Sequence, residues 1–284
     1  YLMRESQMKK IIAAAVAAAF VAPAFAADIT ITGDQEFSFT DANGTVTSAI
    51  DGDFNVKAST ETANGLSISA DINITDDGGD DGSDSLTVAG PFGKVDMGDT
   101  SSAADKFDDR NDFGLVLGNA TSAGDAAVGW DLPTLVPGLS TYISYSSEGS
   151  EDSGNAGEHT GIALQYGAGP VEVAYAQNNN EDGSKLTYVG GTVSFGGLAV
   201  SVERMDEDGA DVEEQSVSAS YGMGDLTLAI SQQETTTADV VDSDVTAVHV
   251  HYSLGGGVTA FIENVSDDRD ADADATAVGL AMTF

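Results

Sequence analysis

Apolar and polar residues alternate along most of the chain, and no long stretch keeps the three- and four-residue spacing of an amphipathic helix. The segment 66–75, LSISADINIT, places leucine, isoleucine and alanine at every second position with serine, aspartate and asparagine between them. The last nine residues, TAVGLAMTF, repeat this pattern. Alternation with a period of two predicts β-strands that have one apolar face and one solvent-facing face.

The connections between these segments are of two kinds that take turns along the chain. Short connections, almost free of charge, have the glycine, asparagine and proline content of tight hairpins; they lie at 63–65, 91–93, 133–138, 168–170, 196–197, 223–225 and 255–257. Longer connections rich in carboxylates lie at 76–84, 148–158, 178–184, 206–214, 236–244 and 267–274, and another is expected between 41 and 53. All turns then lie at one end of an antiparallel sheet and all loops at the other.

This order predicts an all-β protein, a transmembrane up-and-down antiparallel β-barrel. Counting the segments gives about sixteen strands of roughly 8 to 12 residues, close to the 9 to 11 that cross a bilayer. Fourteen strands remain an alternative, because one sequence does not fix the number to better than a hairpin.

One connection, 99–125, is too long for a hairpin loop and too apolar in its middle to lie wholly in water. Long insertions in compact domains are usually functional. We expect this third external loop to fold into the lumen and narrow it. The alternative is a longer external loop with an accidental charge cluster.

Charge and composition exclude several functions. The chain has 47 acidic and 10 basic side chains, a formal net charge of −37. It would repel the phosphates of nucleic acids, so we expect no nucleic-acid partner. The absence of cysteine excludes disulfide scaffolds and thiolate metal sites. The three histidines lie in no recognisable nucleophile motif, and there is no phosphate-binding glycine motif, so we do not expect an enzyme.

Two groups of residues are candidate metal ligands. The acidic segment 76–84 offers hard oxygen ligands suited to Ca²⁺, with Asp76, Asp77, Asp80 and Asp81 as the candidates. No other cofactor is expected. His249 and His251 share one strand face and are either metal ligands or ordinary solvent-facing residues.

The first 26 residues have the pattern of a secretory signal peptide. Lys9 and Lys10 precede an apolar stretch from 11 to 22, and Ala24-Phe25-Ala26 forms a small-x-small cleavage site. We interpret 1–26 as an upstream extension plus signal peptide, and 27–284 as the barrel domain. The removed part has three bases and one acid, which leaves 46 acids and 7 bases in the exported chain.

Four segments together resemble the Gram-negative general-diffusion porins, in particular the alphaproteobacterial type. They are the signal peptide running into DITITGDQEFSFT, the segment SLTVAGPFGKVDMGDTSSAAD, the long third loop, and the final strand ending at Phe284. The resemblance implies a water-filled homotrimeric barrel in the outer membrane, in contact with its lipid. It also implies that the C-terminal strand ending at Phe284 is recognised by the barrel assembly machinery.

In this family, acidic loop residues face basic residues of the barrel wall across a constriction. The resemblance therefore implies a constriction formed by Asp105, Lys106, Asp108, Asp109, Arg110, Asp112, Lys57 and Lys94. Lys57 and Lys94 are the only early-strand bases whose alternation points them into the lumen, fewer than the family pattern has. With so few opposing bases, the lumen should attract cations. We therefore expect a cation-selective channel for passive diffusion of small hydrophilic solutes and ions.

An alternative is a secreted, calcium-stabilised surface-layer or adhesive β protein. Such a protein would also be exported, free of cysteine and rich in strands. It has no need, however, of alternating loop lengths or of a terminal aromatic residue.

The signal-peptide interpretation makes one prediction. Mass spectrometry of the protein extracted from outer membranes should show a mature chain that begins at Ala27. An N-terminus upstream of Ala24 would contradict it.

Overall fold

The computed structural model describes residues 28–75, 84–108, 110–115, 117, 125–146, 158–238, 240–269 and 274–284. Most of these residues lie in antiparallel strands, and a short 3-10 turn spans Asp105–Phe107. Numbered β1 to β17 in chain order, the strands of the described residues are Asp28–Ala42, Thr45–Asp51, Asp53–Glu61, Ser67–Thr75, Ser85–Gly90, Gly93–Ser101, Asp125–Asp131, Leu139–Ser146, His159–Ala168, Val171–Asn180, Lys185–Phe195, Leu198–Glu207, Val212–Met223, Leu226–Thr237, Val240–Gly255, Val258–Asp267 and Ala275–Thr283.

The sheet closes on itself through β1, which pairs with β2 and β3 on one edge and with β17 on the other. From β3 to β17, each strand pairs with the strand that follows it in the sequence. The backbone N–H of Gly33 donates to the carbonyl of Phe284 at 3.0 Å, and the N–H of Phe284 donates to the carbonyl of Gly33 at 2.9 Å. Because β2 and β3 are two parts of one strand interrupted at Gly52, the barrel has sixteen strands. The predicted fold class and the higher of the two predicted strand numbers are therefore confirmed.

The two faces of the barrel differ in polarity. One face carries exposed valine, isoleucine, leucine and aromatic side chains, for example Val202, Ile230 and Ile262. On the other face, residues of the same strands are small or polar and much less exposed. We call the two surfaces the apolar face and the polar face. The polar face includes the buried side chains of Ser144, Asn178, Glu203, Ser218, His249 and Glu263. The alternation of the sequence thus corresponds to burial in the fold.

The seven predicted short turns lie between strands as expected, but several predicted loops are shorter than the sequence suggested. The first acidic connection is a two-residue Asn43-Gly44 turn, in which both residues have positive φ, 54° and 76°. This is the conformation that matches the twist of a hairpin. In the regions 206–214 and 236–244, most residues continue the strand ladders instead of forming loops. Carboxylates at these positions extend the strands because the backbone ladder outweighs the weak strand preference of aspartate and glutamate.

Some expectations fall on residues outside those described. They are the signal peptide, most of the acidic segment 76–84 with Asp76, Asp77, Asp80 and Asp81, and most of the loop at 148–158. The domain division and the calcium site stay predictions.

Within the described part of the chain, no helix is long and apolar enough to cross a membrane.

The turn between β15 and β16 makes a testable prediction. Gly256 and Gly257 both have positive φ, 63° and 82°, which costs an alanine about 1–2 kcal/mol. A Cβ at 257 would in addition lie 2.1 Å from the carbonyl oxygen of Thr283, whereas a Cβ at 256 meets nothing within 4 Å. Gly257→Ala should therefore lower the free energy of unfolding more than Gly256→Ala. Urea unfolding of the protein in lipid vesicles measures both, and equal losses would contradict the prediction.

Candidate functional site

The connection between β6 and β7, residues 102–124, begins by packing tightly against the polar face. Ala103 and Ala104 are fully buried. The N–H of Ala103 donates to Ser144 Oγ at 2.9 Å, and the N–H of Ala104 donates to Asn178 Oδ1 at 3.2 Å. A Cβ at Gly161 would lie 2.5 Å from that of Ala103, so the close approach requires a glycine on β9. The first turn of the connection is thus fixed to β8, β9 and β10.

Arg110 is the next anchor of the connection. Its guanidinium donates through Nη2 to Glu172 Oε1 at 2.9 Å and through Nη1 to the hydroxyl of Tyr188 at 2.9 Å and to the carbonyl of Phe107. The carbonyl of Arg110 accepts from Ser218 Oγ at 3.0 Å. Only 8% of the Arg110 side chain is exposed. Hydrogen bonds to charged groups contribute about 1.5–3 kcal/mol each, so this anchor is strong.

Tyr188 and Glu203 extend this contact into the wall. The Tyr188 hydroxyl oxygen lies 2.6 Å from the carbonyl oxygen of Phe107 and 3.0 Å from Glu203 Oε2. Ser216 Oγ donates to Glu203 Oε1 at 2.9 Å. Loop and wall therefore share one continuous polar network across β10 to β13.

Lys94 and Lys106 meet at one carboxylate, Asp131 at the end of β7. Their Nζ atoms lie 3.5 Å and 3.3 Å from Asp131 Oδ2. Lys94 Nζ is also 2.7 Å from Asp96 Oδ2, and Lys106 Nζ lies 4.3 Å above the ring centre of Tyr142. A lysine of the wall and a lysine of the connection are therefore both neutralised locally.

The far end of the described connection is bound to β16. The backbone N–H groups of Leu115 and Leu117 donate to the two carboxylate oxygens of Glu263, at 2.7 Å and 2.9 Å. Glu263 is fully buried. The connection therefore contacts strands from β8 to β16.

The structure brings together only part of the predicted constriction set. Lys94, Lys106 and Arg110 lie in the networks above, whereas Lys57 lies apart from them, paired with Asp71 on β4 at 3.0 Å. Asp108 is fully buried and Asp105 partly so. Asp112 is exposed and its Oδ1 accepts from the N–H of Gly114 at 3.3 Å. Asp109 lies outside the described residues, and the role of all eight in a constriction stays a prediction.

The wall residues that contact the connection were not predicted from the sequence; they are Asp131, Tyr188, Glu203 and Glu263. The alternation of apolar and polar residues, which can be seen in the sequence, does place each of them on the polar face. Nothing in the sequence around them marks contact with a segment 25 to 148 residues away, as for Lys106 with Asp131 and Leu115 with Glu263.

The acidic turn between β10 and β11 holds one carboxylate firmly in its charged form. The side chain and then the backbone N–H of Ser184 donate to Asp182 Oδ1, at 2.6 Å and 2.8 Å. These bonds hold the pKa of Asp182 below its usual value, because they stabilise the carboxylate. The Asp182 carboxylate therefore stays charged to a lower pH than an ordinary aspartate.

A closed sixteen-stranded antiparallel barrel, with one apolar face and one polar face, is the architecture of a bacterial outer-membrane β-barrel protein. A family model described as Gram-negative porin matches residues 13–272, and the chain belongs to this family of outer-membrane channels. The resemblance inferred from the sequence is thereby confirmed. No curated protein matches the chain significantly.

Solved porin structures have the same fold. A variant of the Rh. blastica porin aligns with a TM-score of 0.69 and 16% identity, over 90% of this chain and all of that one. A porin structure refined at 1.8 Å aligns with the same score and coverage and 18% identity. An anion-selective porin from Comamonas acidovorans aligns with a TM-score of 0.67 and 16% identity, over 91% of this chain and all of that one.

The Arg110 anchor makes a testable prediction. Arg110→Met should remove the bonds to Glu172 and Tyr188 and lower the local opening free energy of segment 102–117 by about 1.5–3 kcal/mol. Hydrogen exchange of that segment's amides should then accelerate by roughly tenfold to a hundredfold, where exchange reports local opening.

Arg204→Met is the matched control. Arg204, like Arg110, is ion-paired; its partners are the carboxylates of Asp206 and Glu213. Its side chain, however, is 53% exposed. Exposed pairs contribute little, so this variant should leave exchange in 102–117 unchanged. Similar exchange in both variants would contradict the anchor.

Proposed function

We propose that this porin is a cation-selective, passive channel for small hydrophilic solutes and ions, without enzymatic activity. We also infer that segment 102–117 lies inside the barrel and narrows its lumen. The segment bonds to polar-face side chains on β8, β10, β11, β13 and β16, strands far apart around a closed wall. A single segment can reach all of them through the interior, which supports the inference.

The observation that carries cation selectivity is the pairing of the bases. Lys57, Lys94, Lys106 and Arg110 each lie 2.7 to 3.3 Å from a carboxylate. Their positive charge is thereby compensated where it would otherwise attract anions. With 47 acids and 10 bases in the chain, the net potential at the pore is negative and concentrates cations.

The fold does not decide the sign of the selectivity. The Comamonas acidovorans structure carries the name of an anion-selective porin and has the same fold. The sign therefore depends on the charges that line each pore. The proposal for this chain rests on its own excess of acidic over basic side chains, 47 against 10.

We also propose a homotrimer and assembly through the C-terminal strand, as the family implies. Phe284 ends that strand, and its ring packs edge-on against Phe54 with centroids 5.8 Å apart. The alternative of a secreted surface-layer or adhesive protein has no support from the family match or from the fold. Calcium binding at 76–84 stays a prediction.

Cation selectivity is tested by reversal potentials in planar bilayers with a KCl gradient. The wild-type protein should prefer K⁺ over Cl⁻. The preference should weaken at 1 M salt, where the screening length falls to about 3 Å. Anion preference at low salt would refute the proposal.

Asp131→Asn tests the contribution of the paired lysines. Removing one unit charge changes the energy of an ion about 10 Å away in water by about 0.4 kcal/mol, about twofold in local cation concentration. The local Cl⁻ concentration rises by about the same factor, so the K⁺/Cl⁻ permeability ratio should fall by about fourfold when Lys94 and Lys106 lose their shared carboxylate. Asp206→Asn, the same charge change beside Arg204 at a strand end, should alter the ratio less. Equal effects would contradict a role of this cluster in the pore.

A further inference from the structure

Three potential metal ligands meet on the polar face where β15 and β16 pair. His249 and Glu263 lie directly opposite each other in the ladder, and His251 is two residues further along the same face. Ligand atoms of the three side chains all lie within 4.8 Å of one another. His249 Nδ1 is 3.8 Å from Glu263 Oε1, and His251 Nε2 is 2.8 Å from the same oxygen.

These spacings fit a small transition-metal ion. With metal–ligand distances of about 2.0–2.1 Å and tetrahedral angles, neighbouring ligand atoms are about 3.3 Å apart. The two measured distances lie on either side of that value. A shift of each imidazole nitrogen by about half an ångström would bring both distances to this value.

The burial of His249 is further evidence for a bound ligand. Only 1% of it is exposed, and among the described residues neither of its ring nitrogens has a hydrogen-bond partner. A buried polar group without a partner costs free energy, and such groups in proteins are rarely left so. A metal ion beside Glu263 would satisfy one of these nitrogens directly.

The surroundings hold the ligands in place. The backbone N–H groups of Leu115 and Leu117 donate to the two carboxylate oxygens of Glu263 and hold it in place. The Phe113 ring lies 6.3 Å from that of His249, and the Phe261 ring 6.4 Å from that of His251. Outer contacts of this kind orient ligands in known metal sites.

We propose that His249, His251 and Glu263 form a binding site for a divalent transition-metal ion of the Zn²⁺ class. Two imidazole nitrogens and one carboxylate oxygen suit Zn²⁺ and its first-row neighbours better than Ca²⁺ or Mg²⁺, which prefer oxygen ligands alone. A fourth position is left for water or a solute. Glu263 also binds segment 102–117, but this proposal does not depend on the ion selectivity proposed above, because Zn²⁺ binding and ion conduction are measured separately.

The test uses the full folded chain in detergent, freed of metal by chelator and titrated with Zn²⁺ by calorimetry. One Zn²⁺ should bind per chain with an affinity that falls by at least about tenfold in His251→Gln and in His249→Gln. His159→Gln is the matched control, since the third histidine lies on β9 outside the cluster. It should bind like the wild type. The change of gel mobility on boiling checks that each variant is folded.

The proposal is overturned if Zn²⁺ affinity is the same in His251→Gln and wild type, as binding to the acidic loops alone would give. X-ray absorption of the wild-type Zn²⁺ complex decides the matter even where a variant fails to fold. Two imidazole ligands per metal are expected, and a shell of oxygen ligands only would overturn the site.

Discussion

Lipid offers no hydrogen bonds to a protein backbone, so each strand that crosses it must be paired along both edges. An unsatisfied backbone group in hydrocarbon costs several kcal/mol, and an open sheet has two rows of them. In this chain β1 removes both rows, because it pairs with β2 and β3 on one side and with β17 on the other. Strand number, alternation and turn type are all consistent with that closure.

Closure of the sheet also determines which side chains the polar face can hold. Side chains that do not face lipid crowd together on the other face, where carboxylates and bases need partners. Arg110 illustrates the requirement, since its buried guanidinium has Glu172, Tyr188 and a backbone carbonyl around it. Leaving a buried charge without its partner costs about 3–5 kcal/mol, which is why connection and wall share one network.

The fold could be predicted from the sequence because its determinants are local. Period-two alternation and the glycine-rich turns, such as 255–257, specify strands and hairpins without reference to distant residues. Loop lengths were less predictable, since the acidic residues 206–214 and 236–244 extend ladders whose length depends on the neighbouring strand.

The site was predicted only in part. Lys94, Lys106 and Arg110 were recognised as charged residues in or beside the long connection. The partners of Lys106 and Arg110, which are Asp131 and Glu172, could not be assigned, because these pairings depend on how a 23-residue segment crosses between strands. Glu263 was missed for the same reason, as it accepts its bonds from backbone groups that carry no side-chain signature.

The attachment of the connection at two distant parts of the wall has a mechanical consequence. A thin cylinder resists stretching along its strands far better than flattening across its diameter. The segment is tied to β8 and β10 at Ala103 and Ala104, and to β16 at Leu115 and Leu117. Such a tie acts as a cross-brace, because it opposes movement of these two parts of the wall toward or away from each other when the membrane presses on the barrel from the side.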